Sequence, residues 1–263
     1  MNWPTLSRPS LKAMSADFPI SPANPAARPG GLLLIDKPQG FTSGDVVAVA
    51  RRALHTKCIG HSGTLDPMAT GLLILLIERQ ATRLQSQFLT LPKTYHATLQ
   101  LGTETDTWDA DGTVVAAQPV AAIRLADIQA AAQRLTGRVR QQIPPFSAKK
   151  INGRKMYDLA REGAPLEARF NEIDIFSWSD IQFDGEKQIE FTLHCSCGTY
   201  VRSLGLMLAR ELGTTGHLTA LRRLSIGPFS VENAFDGAKL KTAQRAEIVQ
   251  FLRAPVLVAP ETK

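Results

Sequence analysis

The sequence predicts a mixed fold of helices and strands, and three patterns carry that prediction. Six unbroken aliphatic residues, at 72–77, are typical of a strand buried on both faces. Residues 93–102 alternate between apolar and polar, which indicates a strand with one buried face. Amphipathic spacing predicts helices over about 43–54, with Thr42 or Ser43 as the N-cap, over 127–135 and over 199–212. A polar helix over about 80–88 and further helices over about 156–161 and 243–252 are also predicted. With 263 residues, the chain can form one large domain or two smaller ones.

The net charge and the cysteine content limit the partners and the cellular compartment that we expect for this protein. The formal net charge of +6 and the pI near 9.4 favour a polyanionic partner. Three cysteines, Cys58, Cys195 and Cys197, are too few for a disulfide framework, so we expect a reducing compartment, the cytoplasm. No apolar run approaches the roughly 18 residues that span a bilayer, so we expect no membrane partner. Residues 1–29 hold six of the 16 prolines and predict a disordered tail rather than a targeting helix.

A glycine-rich loop at residues 60–71 leads directly into the most apolar strand. It contains three glycines and His61, and Pro67 biases Asp66 away from helical conformations. Loops anchored to a rigid strand commonly carry catalytic groups, so Asp66 is a candidate catalytic carboxylate. An aspartate before a proline also commonly caps a turn, and this stretch alone does not separate the two interpretations.

Tyr95 and Arg202 occupy informative places in their predicted elements. The alternation of the second strand turns Tyr95 toward the core, either for packing or as a platform for a flat group. Arg202 falls in the first turn of the helix that is predicted to start at Thr199, where the helix dipole disfavours a cation. A compensating carboxylate or phosphate would explain it. An exposed arginine whose head bends into water is the alternative.

Two basic clusters and two possible metal motifs have ordinary explanations as well. The first cluster either favours the dipole at the C-terminal end of the first helix or contacts RNA; it consists of Arg51, Arg52 and Lys57. The second cluster either contacts an RNA backbone or forms a solvated hairpin; it consists of Lys149, Lys150, Arg154 and Lys155, near Tyr157.

The acidic segment 105–112 is not a calcium loop, because a glutamine occupies the position of the bidentate glutamate. The Cys-x-Cys at 195–197 lacks the spacing of a zinc site. We expect no metal, and a zinc-dependent hydrolase is only a minor alternative.

Six motifs, in this order, resemble those of the bacterial tRNA pseudouridine-55 synthases, the TruB family. They are Asp-Lys-Pro-Gln-Gly at 36–40, the loop at 60–71, Leu-Gly with the acidic segment at 101–112, Pro-x-x-Ser-Ala-Lys at 144–149, Gly-Thr-Tyr-Val-Arg at 198–202 and Leu-Arg-Arg-Leu at 221–224. The likeness covers about residues 31–235. One departure is Cys197, which stands where many relatives carry a lysine.

The resemblance implies an α+β fold, the pseudouridine synthase catalytic fold, with a long mixed, mostly antiparallel sheet flanked by helices. It implies a catalytic domain over 30–237 with an RNA-binding insertion at about 138–165. The remaining residues, 238–263, would form a short helix and tail, with no complete PUA domain. The implied activity is isomerisation of uridine 55 in the tRNA T loop, by base flipping and without metal or cofactor. The expected partner is the T arm of tRNA, and nothing demands an oligomer, so we expect a monomer.

The resemblance also assigns residue roles. Asp66 matches the catalytic carboxylate, Tyr95 the ring beneath the flipped uracil, and Arg202 the partner of the carboxylate. The other matches are His61, Tyr200, Leu221 and Arg83 for substrate binding, with Lys37 and Pro38 as a structural motif. One carboxylate suffices because uracil can leave as a stabilised anion. Asp66 must then be ionised while desolvated, which requires a cation such as that of Arg202.

Two questions stay open in the sequence. Asp66 could attack the sugar, attack the base or remove a sugar proton. The family's fold and aspartate also do not fix the RNA target. A tRNA-binding folding helper, in which catalysis is incidental, is the alternative from another function class, and replacing Asp66 with asparagine separates it from an enzyme.

Overall fold

A computed structural model describes residues 30–147 and 167–255 of the chain, together with a strand pair at Lys150–Ile151 and Arg154–Lys155. The tail over 1–29, the helix predicted at about 156–161 and the side chains of the basic cluster near it lie outside the described residues. Among the residues described, no helix combines the length and the apolar character needed to cross a bilayer.

Strands and helices follow one another along the whole described chain. The strands are β1 (Gly31–Lys37), β2 (Ile59–His61), β3 (Thr70–Ile77), β4 (Lys93–Leu101), β5 (Thr103–Thr105), β6 (Val114–Ala117), β7 (Gly137–Gln142), β8 (Lys150–Ile151), β9 (Arg154–Lys155), β10 (Phe170–Phe183), β11 (Gln188–Cys195), β12 (Gly216–Ile226), β13 (Phe229–Ser230) and β14 (Phe235–Asp236). The α-helices are α1 (Ser43–Leu54), α2 (Glu78–Thr82), α3 (Gln85–Thr90), α4 (Leu125–Arg134), α5 (Val201–Glu211) and α6 (Arg245–Val249). Two 3₁₀ turns lie at Val231–Asn233 and Gly237–Lys241.

One ten-stranded sheet forms the centre of the described structure. Its order is β14-β1-β3-β12-β4-β11-β10-β7, with β2 beside β3 and β13 beside β12. The β1–β14 and β3–β12 pairs are parallel, and the other pairings of this sheet are antiparallel. The expected α+β class, with a long mixed and mostly antiparallel sheet, is therefore confirmed.

Helices cover both faces of the β1–β3 end of this sheet. The odd-numbered aliphatic residues of β3 pack with α1 and α6, whereas the even-numbered ones pack with α2 and α3. This is why the run at residues 72–77 has no polar face. At the other end, α4 and α5 pack against β4, β10, β11 and β12 and bury the largest apolar cluster.

Four of the predicted helices have different bounds in the structure, and one of them, α4, begins two residues earlier than expected, at Leu125. The polar helix expected over about 80–88 is two short helices, α2 and α3, and each buries one residue, Ala81 or Phe88, against the sheet. Helix α5 begins two residues later than predicted, because Gly198 has a φ of +78° and forms a turn before it. The helix expected over about 243–252 is only the five residues of α6.

The parallel contact between β3 and β12 depends on Gly71. This residue has a φ of +99°, and a Cβ built on it would lie 2.3 Å from the backbone oxygen of Arg223. Only glycine has both the conformational freedom and the small size for this position. The contact brings the end of the 60–71 loop against β12.

We expect Gly71→Ala to lower the free energy of unfolding by about 2–5 kcal/mol, since strain at positive φ and a backbone clash act together. Gly185→Ala is the matched control: its φ is +88°, but a Cβ at that position would have no heavy atom within 4 Å. That control should lose only about 1 kcal/mol. Urea titration measures both values, and equal losses would contradict the close-approach explanation.

Candidate active site

A cavity of about 390 Å³ opens beside the 60–71 loop, where β4, β12 and the start of α5 meet. Five of the seven residues predicted to act on the substrate line it, and they come from four separate parts of the chain. These residues are Asp66, Tyr95, Tyr200, Arg202 and Leu221. The volume is in the range of ordinary small-ligand sites.

Arg202 and Asp66 form an ion pair at this cavity. Nε of Arg202 lies 2.9 Å from Oδ2 of Asp66. The arginine is 3% exposed, and its two Nη atoms donate to the carbonyls of Thr107 (2.7 Å) and Phe146 (2.9 Å). The anion that compensates a cation in the first turn of α5 is thus a carboxylate, one of the two predicted possibilities.

A second carboxylate lies against the same guanidinium. Oδ2 of Asp109 is 3.4 Å from Nη1 of Arg202, and Asp109 is buried. Its Oδ1 accepts hydrogen bonds from the Thr107 hydroxyl at 2.6 Å and the Asp111 N–H at 3.1 Å. Burial raises the pKa of Asp109, and the Arg202 charge opposes that rise. Arg202 therefore bridges one carboxylate fixed in the interior and one that faces the cavity.

Asp66 is less desolvated than the sequence led us to expect. About a third of its side chain, 34%, is exposed, because it projects from a loop into the cavity rather than from a strand into the core. The expectation of a fully desolvated carboxylate is wrong for the protein alone. A ligand that enters the cavity would exclude this water and strengthen the interaction of Asp66 with Arg202.

Lys37 holds the loop next to Asp66 through backbone atoms. Its Nζ donates to the carbonyls of Pro38 (3.0 Å), Phe41 (2.7 Å) and Pro67 (3.4 Å). The residue is fully buried, and burial lowers the pKa of Lys37 to about 8. The motif at 36–40 thus connects the end of β1 to the residue that follows Asp66.

Arg223 anchors the other half of the loop. It is 1% exposed, and it donates to the carbonyls of Leu72 (2.7 Å), Gly63 (3.1 Å) and Thr64 (3.4 Å). It also faces Tyr95: burial raises the pKa of that phenol, and the Arg223 charge opposes the rise. The tyrosine ring therefore forms a fixed part of the cavity wall.

Tyr200 is the N-cap residue of α5 and faces the cavity. Its N–H donates to Oε1 of the buried Gln141 at 3.1 Å, while Nε2 of that amide donates to the Gly198 carbonyl at 2.9 Å. Burial raises the pKa of the Tyr200 phenol, and a hydrogen bond with Ser147 opposes the rise. Gln141 thereby connects β7 to the start of the helix that carries Arg202.

Two predicted substrate-binding residues lie outside the cavity wall. His61, at the end of β2, is half-buried, and its Nδ1 accepts from the Gly63 N–H at 3.3 Å. Burial lowers the pKa of His61. Arg83 is exposed at the end of α2. In the described part of the chain, no three His, Cys, Asp or Glu side chains lie close enough to hold a metal ion.

Comparison with known families agrees with this geometry. Residues 51–201 match the model of the TruB family pseudouridylate synthases, N-terminal domain. The chain belongs to this family. It is 41% identical over 235 residues to tRNA pseudouridine synthase B of Arthrobacter sp., covering 88% of this chain and 76% of that protein. It is 42% identical over 218 residues to the Aquifex aeolicus protein of the same name, covering 82% and 75%.

Solved structures agree with this family at the level of the fold. A Cbf5-Nop10-Gar1 complex matches with a TM-score of 0.64 and 23% identity, over 87% of this chain and 60% of that one. An H/ACA RNP bound to a substrate RNA containing 2'-deoxyuridine matches with a TM-score of 0.58 and 25% identity, over 78% and 50%. The chain thus spans little more than half of those proteins, and we take from them the fold alone.

Sequence reasoning missed four buried polar residues of this TruB-family site: Lys93, Asp109, Gln141 and Arg223. A signal existed for two of them. Lys93 is two residues before Tyr95, and Arg223 is two residues after Leu221, so the period-two rule for strands places each on the same face as its neighbour. Asp109 lies within the motif at 101–112, but nothing in the sequence shows that it contacts Arg202, and Gln141 likewise acts through contacts between segments far apart in sequence.

We expect Arg202→Met to lower the free energy of unfolding by about 3–5 kcal/mol, because it leaves Asp109 as an uncompensated buried charge. Arg210→Met, on the same helix, is the control, because Arg210 is 56% exposed where it pairs with Glu104. It should lose less than about 1 kcal/mol. Adding Asp109→Asn to Arg202→Met should restore part of the loss in denaturant titrations. Failure to do so would argue against the bridging role.

Proposed function

We propose that this protein isomerises uridine 55 in the T loop of tRNA to pseudouridine, with Asp66 as the catalytic carboxylate. The reaction class follows from the family: the chain converts a uridine of tRNA into pseudouridine. The position of that uridine and the part played by Asp66 are our proposals. The observation that carries them is the Asp66–Arg202 ion pair in a cavity that Tyr95 also lines.

In this proposal the target nucleotide is flipped out of the T loop and its uracil stacks on Tyr95. Extrusion costs a few kcal/mol of unstacking, which stacking on an aromatic ring partly offsets. The sugar then lies beside Asp66, and the attraction between Asp66 and Arg202 strengthens as water leaves. Leu221 and Tyr200 enclose the base. This arrangement serves attack on the sugar, attack on the base or removal of a sugar proton.

Contacts outside the cavity would supply affinity for tRNA. We propose that Arg83, which is exposed, contacts the RNA backbone and that His61 lies near the extruded nucleotide. Residues 138–165 would add further RNA contacts. Because one chain provides both carboxylates and the arginine between them, we propose that the protein acts as a monomer, in the cytoplasm that its free cysteines favour.

We expect Asp66→Asn to reduce pseudouridine formation at least about 1,000-fold while the Kd for tRNA changes less than about threefold, because asparagine keeps the shape and removes the charge. The reaction replaces the hydrogen on C5 of the uracil, so tritium release from tRNA labelled at that carbon measures it. Asp180→Asn, at an exposed position, is the control and should keep full activity. Undiminished turnover of Asp66→Asn would remove Asp66 from the chemistry.

We expect an unmodified tRNA transcript treated with the protein to gain pseudouridine at position 55 and nowhere else. Carbodiimide adducts read by reverse transcription give the position. A transcript with cytidine at 55 should stay unmodified, since the proposed site accepts only one position of the T loop, even though other uridines lie near it. Pseudouridine at another position would contradict the proposed target but leave the reaction class unchanged.

A further inference from the structure

Lys93 is a charged residue of the cavity wall that the proposed mechanism does not use. It is the first residue of β4, is 6% exposed and lies two positions before Tyr95 on the same face. Its Nζ donates to the carbonyls of Leu89 at 2.7 Å and Leu91 at 2.5 Å. An ammonium carries three N–H donors, so one donor remains beyond these two.

This corner of the cavity is positively charged. Within the described parts of the chain, no carboxylate oxygen lies within 4 Å of the Lys93 ammonium, and the charge of the buried Arg223 acts on it as well. Burial, followed by that charge, lowers the pKa of Lys93 to about 8, while the nearby thiols of Cys197 and Cys195 act in the opposite direction. A buried cation without a counter-ion is costly, and an anionic group beside it recovers the cost.

A structural role accounts for part of this arrangement. The two carbonyls that Lys93 binds belong to the last turn of α3 and to its C-cap residue, where cations are favoured. That role explains the two hydrogen bonds. It does not explain the third N–H of the Lys93 ammonium. Lys93 lines the cavity wall beside Tyr95, the ring on which we place the base.

We propose that Lys93 donates its remaining N–H to a carbonyl oxygen of the flipped uracil, O2 or O4, and stabilises the negative charge that develops there during the reaction. The inference rests on the proposed function, because it takes Tyr95 as the platform of the base. Residues two apart on a strand are about 7 Å apart, so Lys93 reaches the edge of a ring that stacks on Tyr95.

The electron balance of the reaction shows where such a donor would lower the barrier. When the C1'–N1 bond breaks, its electron pair stays on uracil and spreads over N1, O2 and O4. The ring turns over, C5 forms the new bond to C1', the proton on C5 passes to water, and N1 takes a proton from water. Attack of a carboxylate on C6 instead would place the charge on O4. Every route therefore puts negative charge on the carbonyl oxygens of uracil. A fixed hydrogen-bond donor in a site with little water stabilises such charge effectively.

A phosphate of the RNA is the other anion that Lys93 could bind. A flipped base is the part of the nucleotide that enters the cavity most deeply, whereas the phosphates stay with the backbone at its mouth. Lys93 is almost fully buried next to Tyr95, which favours the base. Loss of a contact to the base slows the chemical step, whereas loss of a contact to a phosphate weakens binding, so kinetics separates the two.

We expect Lys93→Met to lower the single-turnover rate at saturating protein about 100- to 1,000-fold, as is usual for loss of one such donor. The Kd for tRNA should change less than about threefold. Lys187→Met, which removes the same charge at an exposed position of the β10–β11 turn, should change neither value. If Lys93→Met instead weakens binding, lowers the salt slope of log K by about one and leaves the saturated rate intact, Lys93 binds a phosphate and the inference is wrong.

The pH profile tests the inference without depending on how well Lys93→Met folds. The second-order rate constant of the wild-type protein should fall as pH rises through the pKa of Lys93, about 8, since only the protonated amine carries the charge. Lys93→Arg stays charged and should lose this alkaline fall, whereas a fall due to Lys37, whose pKa burial also lowers to about 8, would persist in it. A wild-type rate constant that is flat between pH 7 and 9.5, or a fall that Lys93→Arg retains, would overturn the inference. If the wild-type protein forms no pseudouridine in tRNA at all, the proposed function fails instead.

Discussion

The guanidinium of Arg202 is the interaction on which the site depends. It lies in the first turn of α5, where the helix dipole disfavours a cation, and it is almost fully buried. Two carboxylates and two carbonyls offset that double cost, and they come from the loop before β3, the turn after β5 and the segment after β7. One side chain therefore joins four segments that are distant in sequence. The carboxylate of Asp109 and the carbonyls of Thr107 and Phe146 hold the guanidinium of Arg202 in place, and the guanidinium in turn positions the carboxylate of Asp66.

The remaining buried cations near the cavity are bound mainly by carbonyl oxygens. Lys37, Lys93 and Arg223 all donate to backbone oxygen atoms of turns or loops. Carbonyl dipoles reduce the cost of burying a cation but leave its full charge in place. Asp66 is the carboxylate among the described residues of the cavity wall, so positive charge exceeds negative charge there. Such a field favours the binding of a group that carries negative charge.

Most of the fold could be predicted from the sequence because its strands have strong periodicity. The apolar run of β3 and the alternation of β4 indicated their burial correctly, and Thr42 caps α1 as the sequence suggested. The α2–α3 break could not be predicted, since tertiary packing of single residues decides it. In the site, the Arg202 position signalled a missing anion. The local sequence pattern could not show which anion pairs with Arg202, or that two carboxylates share its guanidinium. Both depend on the path of the chain between distant segments.

The loop that carries Asp66 is irregular, yet several of its backbone carbonyls are paired with buried side chains. Arg223 and Lys37 bind carbonyls of Gly63 and Pro67, on either side of the aspartate. A loop without ladder partners would otherwise need water to satisfy these groups, and water would admit mobility and weaken the ion pair. Buried cations thus donate the hydrogen bonds that a neighbouring strand would donate to these carbonyls within a sheet. This explains why lysine and arginine, rather than apolar residues, lie beneath a loop whose only charged side chain faces the cavity.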